Sequence, residues 1–101
     1  MVQKEIRWSK RAIYDKLDIY EYWSNRNKNF DYCYKLEQQF DHSVFQLSLF
    51  PESGKITEYK DVRVKPLKKY LIFYRITSNT IEVLRLWDTN KDLDYLQLPN
   101  D

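Results

Sequence analysis

One cysteine and one histidine are all the soft metal ligands in this chain of 101 residues. A lone Cys33 excludes an internal disulfide, and with His42 as the only imidazole a zinc site lacks ligands, so neither a metal nor a cofactor is expected. Long apolar runs are missing too: no stretch approaches the roughly 18 residues of a membrane span. The opening MVQKEIRWS is charged and has no apolar leader core, so no membrane association is expected and a cytoplasmic protein is. Internal repeats and low-complexity segments are absent. What is present suffices for a core: 43% hydrophobic residues and 17% aromatics, with nine Tyr and three Trp, against a mean hydropathy of −0.76. The length fits one domain, 1–101, with one modest core. A net charge of +2 and a pI near 8.6 permit nucleic-acid contact without demanding it, since dedicated basic domains exceed about pI 9.

Residues 5–8, EIRW, make a short strand candidate, and Ser9 stands where a helix N-cap belongs. Ala12, Ile13, Leu17, Tyr20 and Trp23 recur at spacings of three and four, which predicts a helix ending near NRNKN at 25–29. A second helix carries Cys33, Leu36, Phe40, Val44 and Leu47, and is stopped by Pro51 and the only glycine, Gly54. The two make an αα-hairpin. From residue 60 the pattern changes to β-branched and aromatic runs: VRVKPL, YLIFYRI and TIEVLRLW, with turns at Lys68-Lys69 and Ser78-Asn79. The expected order is β-α-α-β-β-β with a short tail or helix at NKDLDYL. This is an α+β fold, an N-terminal strand and an antiparallel helical hairpin packed on one face of a small, mainly antiparallel sheet.

Strand alternation puts Val62 and Val64 on one face and Arg63 and Lys65 on the other, groups Arg75 with Leu71 and Phe73, and groups Arg85 with Val83 and Trp87. If the register aligns them, the sheet face free of helices carries Arg63, Arg75 and Arg85 among aromatics, a surface for phosphates and stacked bases. Lys65, Arg75, Arg85 and Lys91 are then the nucleic-acid contacts. The alternative is that each arginine reaches solvent from a half-exposed strand or pairs with a neighbour such as Glu82 or Asp88. Glu58, before the first meander strand, and Asp88, after the last, are candidate general bases. His42 lies roughly opposite Phe40 around its helix, facing solvent with no nucleophile spaced beside it, and Cys33 sits in the apolar stripe as a small core residue.

The order of elements and several motifs resemble the RelE/ParE superfamily of bacterial type II toxin–antitoxin toxins, also known as plasmid-stabilisation proteins. The resemblance runs nearly end to end. It is carried by WS-x-x-A at 8, 9 and 12, DIYEYW at 18–23, FPESG at 50–54, VRVKPL at 62–67, YLIFYRI at 70–76 and VLRLWD at 83–88. It implies a helical hairpin on a small antiparallel sheet and a cognate acidic antitoxin as partner. The implied activity divides: RelE-like members are mRNA interferases that cut on the ribosome, whereas ParE-like members poison DNA gyrase. Cutting requires groups that activate a ribose hydroxyl, hold the scissile phosphate and protonate the leaving oxygen. On the family pattern Arg63 matches the arginine of the first meander strand, and Tyr95 lies one residue from the C-terminal catalytic tyrosine. Catalytic roles therefore fall to Arg63, Tyr95 and Glu58. After the last strand, where nuclease members often place His or Arg, this chain reads Trp87-Asp88-Thr89-Asn90, with Lys91 the first cation. Three functions stay open: a ribosome-dependent endoribonuclease, a gyrase-binding inhibitor, and an antitoxin-binding member without toxicity.

Overall fold

A computed structural model describes residues 3–99. Strand β1 (Glu5–Trp8) leads into helix α1 (Lys10–Asn27) through Ser9. The Ser9 hydroxyl accepts from the Ala12 N–H at 3.0 Å, the N-cap bond expected of it, and donates to the Leu84 carbonyl at 2.9 Å. One side chain thus starts the helix and pins it to a distant strand. Lys28 closes α1 with a left-handed φ of 60°, its N–H on the Ser24 carbonyl. Helix α2 (Asp31–Leu49) follows, started by the Asn29 side chain accepting from the Asp31 N–H and ended by a 3₁₀ turn at Pro51–Ser53.

Four strands complete the fold: β2 (Lys55–Ile56), β3 (Val62–Leu67), β4 (Tyr70–Ile76) and β5 (Thr80–Asp88). The sheet order is β1-β5-β4-β3-β2. Strand β1 lies parallel to β5 and every other pairing is antiparallel. Both expected turns are present as two-residue connections, Lys68-Lys69 between the paired Leu67 and Tyr70 and Ser78-Asn79 between Thr77 and Thr80. The two-residue β2 was not expected from the sequence, being too short for any alternation to show.

The hairpin covers one face of the sheet. Leu36, Phe40, Val44 and Leu47 of α2 and Ala12 of α1 pack on Tyr70, Ile72, Tyr74, Ile81, Val83 and Leu86. The inward face of α1 differs from the expected stripe: Ile13 and Leu17 are 43% and 57% exposed, and Ile19, Tyr20 and Trp23 pack inward with Ala12. At 3.6 residues per turn the line joining Ala12, Ile19 and Trp23 also passes Asp15 and Lys16. Two charged residues on the true inner line make the adjacent, more apolar line look like the core. The other sheet face, expected to be bare, carries its own cluster of Val62, Phe73, Leu84 and Trp87, closed over by Leu96 and Leu98 of the C-terminal segment.

The single glycine earns its place by close approach, not by backbone freedom, since its φ is −79°. Its N–H donates to the hydroxyl of fully buried Tyr74 at 3.0 Å, and that hydroxyl donates to the Pro51 carbonyl at 2.6 Å. A Cβ at position 54 would lie 2.5 Å from the same hydroxyl. Gly54→Ala is expected to cost about 1–3 kcal/mol through overpacking. A thermal melt checks this; an unchanged midpoint would mean that the loop gives way freely.

Candidate functional site

Strand β5 breaks its alternation midway. Arg85 stands opposite Phe73 and Val83 opposite Tyr74, so Leu84 is the extra residue of a β-bulge. Val83 therefore belongs to the helix-side core, while Leu84 joins Phe73 and Trp87 on the far face. Arg85, paired with Phe73, leaves from that far face at the sheet edge. Strand β1 pairs with β5 only as far as Val83, so the edge beyond is open and Asp15 of α1 fills it. The carboxylate of Asp15 accepts from the Leu86 N–H at 3.1 Å, from Arg85 Nε at 2.8 Å and from Arg85 Nη2 at 3.1 Å. Arg85 Nη1 donates to the Gln97 carbonyl at 2.8 Å. At 4% exposure, Arg85 ties α1, β5 and the C-terminal segment together and offers no surface to a ligand, contrary to the nucleic-acid role expected of it. The Asp15 partnership, 70 positions away, went unread in the sequence. Its only trace is an aspartate on the line between Ala12 and Ile19.

The arginines do not share a surface. In the β3–β4 register Arg63 stands opposite Tyr74, and Arg75 opposite Val62. This one-residue offset sends them to opposite faces. Arg63 points to the helix side, where its Nη1 donates to the Gly54 carbonyl at 2.9 Å and the Glu52 carbonyl at 3.3 Å. Lys65, opposite Ile72, shares that side. Arg75, on the far face, lies 3.8 Å from Glu82, one of the neighbours foreseen for a strand arginine. Lys91 is exposed in the turn after β5, its ammonium 5.6 Å from the Trp87 ring.

Glu58 lines a groove of about 460 Å³ on the far face, with Tyr59, Leu71, Phe73, Leu93 and Asp94. Tyr95, at the end of a 3₁₀ turn (Leu93–Tyr95), is 78% exposed beside it. The structure so brings Glu58 near the tyrosine segment and leaves Arg63 on the other side of the sheet. Among the described residues that line the groove, Glu58 and Asp94 are the charged ones, a sign that repels phosphate.

A second cavity of about 300 Å³ lies between α1 and the ends of β4 and β5. Here Lys69 sits 5.3 Å from the Trp23 ring and within 6.0 Å of the Tyr22 and Tyr70 rings, and its ammonium is 3.8 Å from Asp88. Asp88, a candidate base on sequence, is thus the partner of a caged lysine. Trp23 Nε1 donates to the Tyr70 hydroxyl at 2.8 Å. Burial raises the Tyr70 pKa above the usual tyrosine range, and the Trp23 bond opposes it in part. Among the described residues no group of three or more His, Cys, Asp or Glu side chains could hold a metal ion, and no helix is long and apolar enough to cross a membrane.

Residues 6–93 match a family model described as the ParE toxin of the type II toxin–antitoxin system, parDE. Among solved structures, one described as "Chromosomal ParDE TA system from P. aeruginosa" superposes with a TM-score of 0.73 at 20% identity, over 85% of this chain and 96% of that one. At that identity the likeness is one of fold: two helices on a five-stranded mixed sheet. No curated protein sequence matches.

Proposed function

We propose that this chain, which belongs to the ParE toxin family of type II toxin–antitoxin systems, arrests growth by binding DNA gyrase and not by cutting RNA, and that a cognate acidic antitoxin holds it inactive until release. One observation carries the choice of binder over nuclease. Arg63 is the one family-matched side chain suited to stabilise charge on a scissile phosphate. It is held on the helix side of the sheet by the Glu52 and Gly54 carbonyls, while Glu58 and the Tyr95 segment lie on the far face. General acid–base chemistry needs its groups within hydrogen-bond reach of one substrate. A sheet separates these.

The far-face groove supports the antitoxin half of the reading. Its apolar lining continues into exposed Leu93 and Tyr95, which suits a segment that inserts apolar side chains. An acidic antitoxin then meets the basic excess of the chain elsewhere on its surface.

The test runs two assays side by side on purified toxin freed of its antitoxin: supercoiling by gyrase, and primer extension on ribosome-bound message. Inhibited supercoiling with intact message is expected, reversed when the product of the adjacent reading frame is added back. Arg63→Ala should leave that inhibition in place. Codon-positioned cuts abolished by Arg63→Ala would establish the ribosome-dependent nuclease instead. Silence in both assays would favour a family member that keeps the antitoxin interface alone.

A further inference from the structure

Helix α1 carries a second line of residues, opposite the one it buries. Lys10, Tyr14, Leu17 and Glu21 recur at spacings of four, three and four, so at about 100° per residue they fall within roughly 60° of one another around the helix. The buried line of Ala12, Ile19 and Trp23 lies on the other side. All four outer residues are exposed, Tyr14 and Leu17 at 59% and 57%, and exposed Ile13 borders them on one flank. Single apolar residues on a surface need no explanation, but a continuous apolar strip framed by charge marks a contact.

The frame is sorted by sign. Lys10 and Arg11 open the helix, with no acidic residue in its first turn, while Asp18 and Glu21 stand further along the same exposed side. None of these four side chains takes part in an ion pair among the described residues. For the helix alone the arrangement is unfavourable: cations at the N-terminus oppose the macrodipole, and Asp18 repels Glu21 three positions on. Against a copy of itself it becomes favourable. The strip is symmetric about the midpoint between Asp15 and Lys16. A two-fold axis through that point sets Lys10 against the partner's Glu21 and Tyr14 against the partner's Leu17, the pairing of an antiparallel helix seam. Arg11 and Asp18 share one flank and come within a turn of each other's copies. Every pair occurs twice, and the two dipoles run antiparallel. An unrelated partner has no need of that symmetry, whereas a second copy requires it.

We propose that the outer face of α1 is a self-association surface on which two copies of this chain pair antiparallel, with Tyr14 and Leu17 at the centre and a Lys10–Glu21 pair at each end. From Lys10 to Glu21 the strip runs roughly 16 Å at 1.5 Å per residue. A contact of that length belongs to the small, transient class of interfaces, so the dimer should dissociate on the order of 10–100 µM. The pairing needs neither gyrase nor antitoxin, and it lies on the helix side of the sheet, away from the far-face groove assigned to the antitoxin.

Analytical ultracentrifugation of the full chain, freed of antitoxin, across roughly 5–300 µM tests it, and should show a monomer–dimer equilibrium that weakens as salt rises. Lys10→Glu and Glu21→Lys each turn two attractive pairs repulsive and should each weaken the dimer about tenfold or more. Mixed in equal amounts, those two variants should form a heterodimer, because each supplies the charge the other needs. The double variant Lys10→Glu/Glu21→Lys should dimerise as wild type does. Leu17→Ala, at the centre of the seam, should also weaken association about tenfold. Misfolding does not explain these losses: Lys10→Glu places an acid in the first turn, where it favours the helix, so its melt should be no lower than that of wild type. A monomer at the highest concentration overturns the proposal, as does a dimer that either single charge reversal leaves intact, or a mixture of the two variants that fails to pair. A monomeric wild type whose antitoxin binding is lost in Leu17→Ala would assign the strip to the antitoxin instead.

Discussion

Arg85→Ala is expected to lower folding stability by about 3–5 kcal/mol, since it strands the Asp15 carboxylate, whose side chain is only 11% exposed, without its cation. The same loss follows from Asp15→Ala, which leaves the guanidinium unpaired and also frees the Leu86 N–H at the open sheet edge. Asp15→Asn separates these two effects: it keeps an acceptor for the Leu86 N–H and removes the charge, so its cost should fall below that of Asp15→Ala. A hydrophobic replacement of both partners, such as Asp15→Leu with Arg85→Met, should be less damaging than either single change, because the desolvation of two ions disappears with the ions. Urea unfolding of the five proteins, wild type included, measures all of this. If each single variant loses less than about 1 kcal/mol, the range of exposed ion pairs, then the clamp is not sealed from water as its geometry requires.

Phe40→Ala should be comparably severe, at about 3–5 kcal/mol. Phe40 is fully buried at the centre of the hairpin-on-sheet contact, with its ring edge-on to Tyr70 at 5.7 Å. Small domains hold only about 5–15 kcal/mol in total, so this variant should be marginal at ambient temperature. Trp23→Ala offers the comparison: Trp23 is only partly buried at the rim of the same cluster, so its loss should be smaller and should include the hydrogen bond to Tyr70. A melt in which Phe40→Ala stays within a degree or two of wild type would sink the packing described for α2.

Much of the fold is legible because its signals are local. Ser9 before a periodic run, Pro51 and Gly54 after another, and polar pairs between β-branched runs each act within a turn or two of chain. They locate both helices, three meander strands and both hairpin turns. The candidate site is less legible, for reasons visible in particular residues. Alternation correctly places Arg75 with Phe73, but the bulge at Leu84 separates Arg85 from Val83, and nothing in TIEVLRLW announces the extra residue. Pairing then decides that Arg63 faces Tyr74 and the helices while Arg75 faces away. Alternation within single strands says nothing of which face the helices will cover.

The sequence by itself determined the class of fold, the family and the lack of soft ligands, since composition, periodicity and motif order are properties of neighbouring residues. Only the tertiary structure decided that Arg85 is a buried strut on Asp15, that Arg63 and the Tyr95 segment lie on opposite sides of one sheet, and that the inner line of α1 runs from Ala12 past Asp15 to Ile19 and Trp23. Those depend on register, on a bulge and on the rotation of a helix about its axis. One residue of slip in a strand reverses every side chain it carries, and about 100° of turn per residue redirects a helix face, so their outcome is fixed only when distant segments pack together.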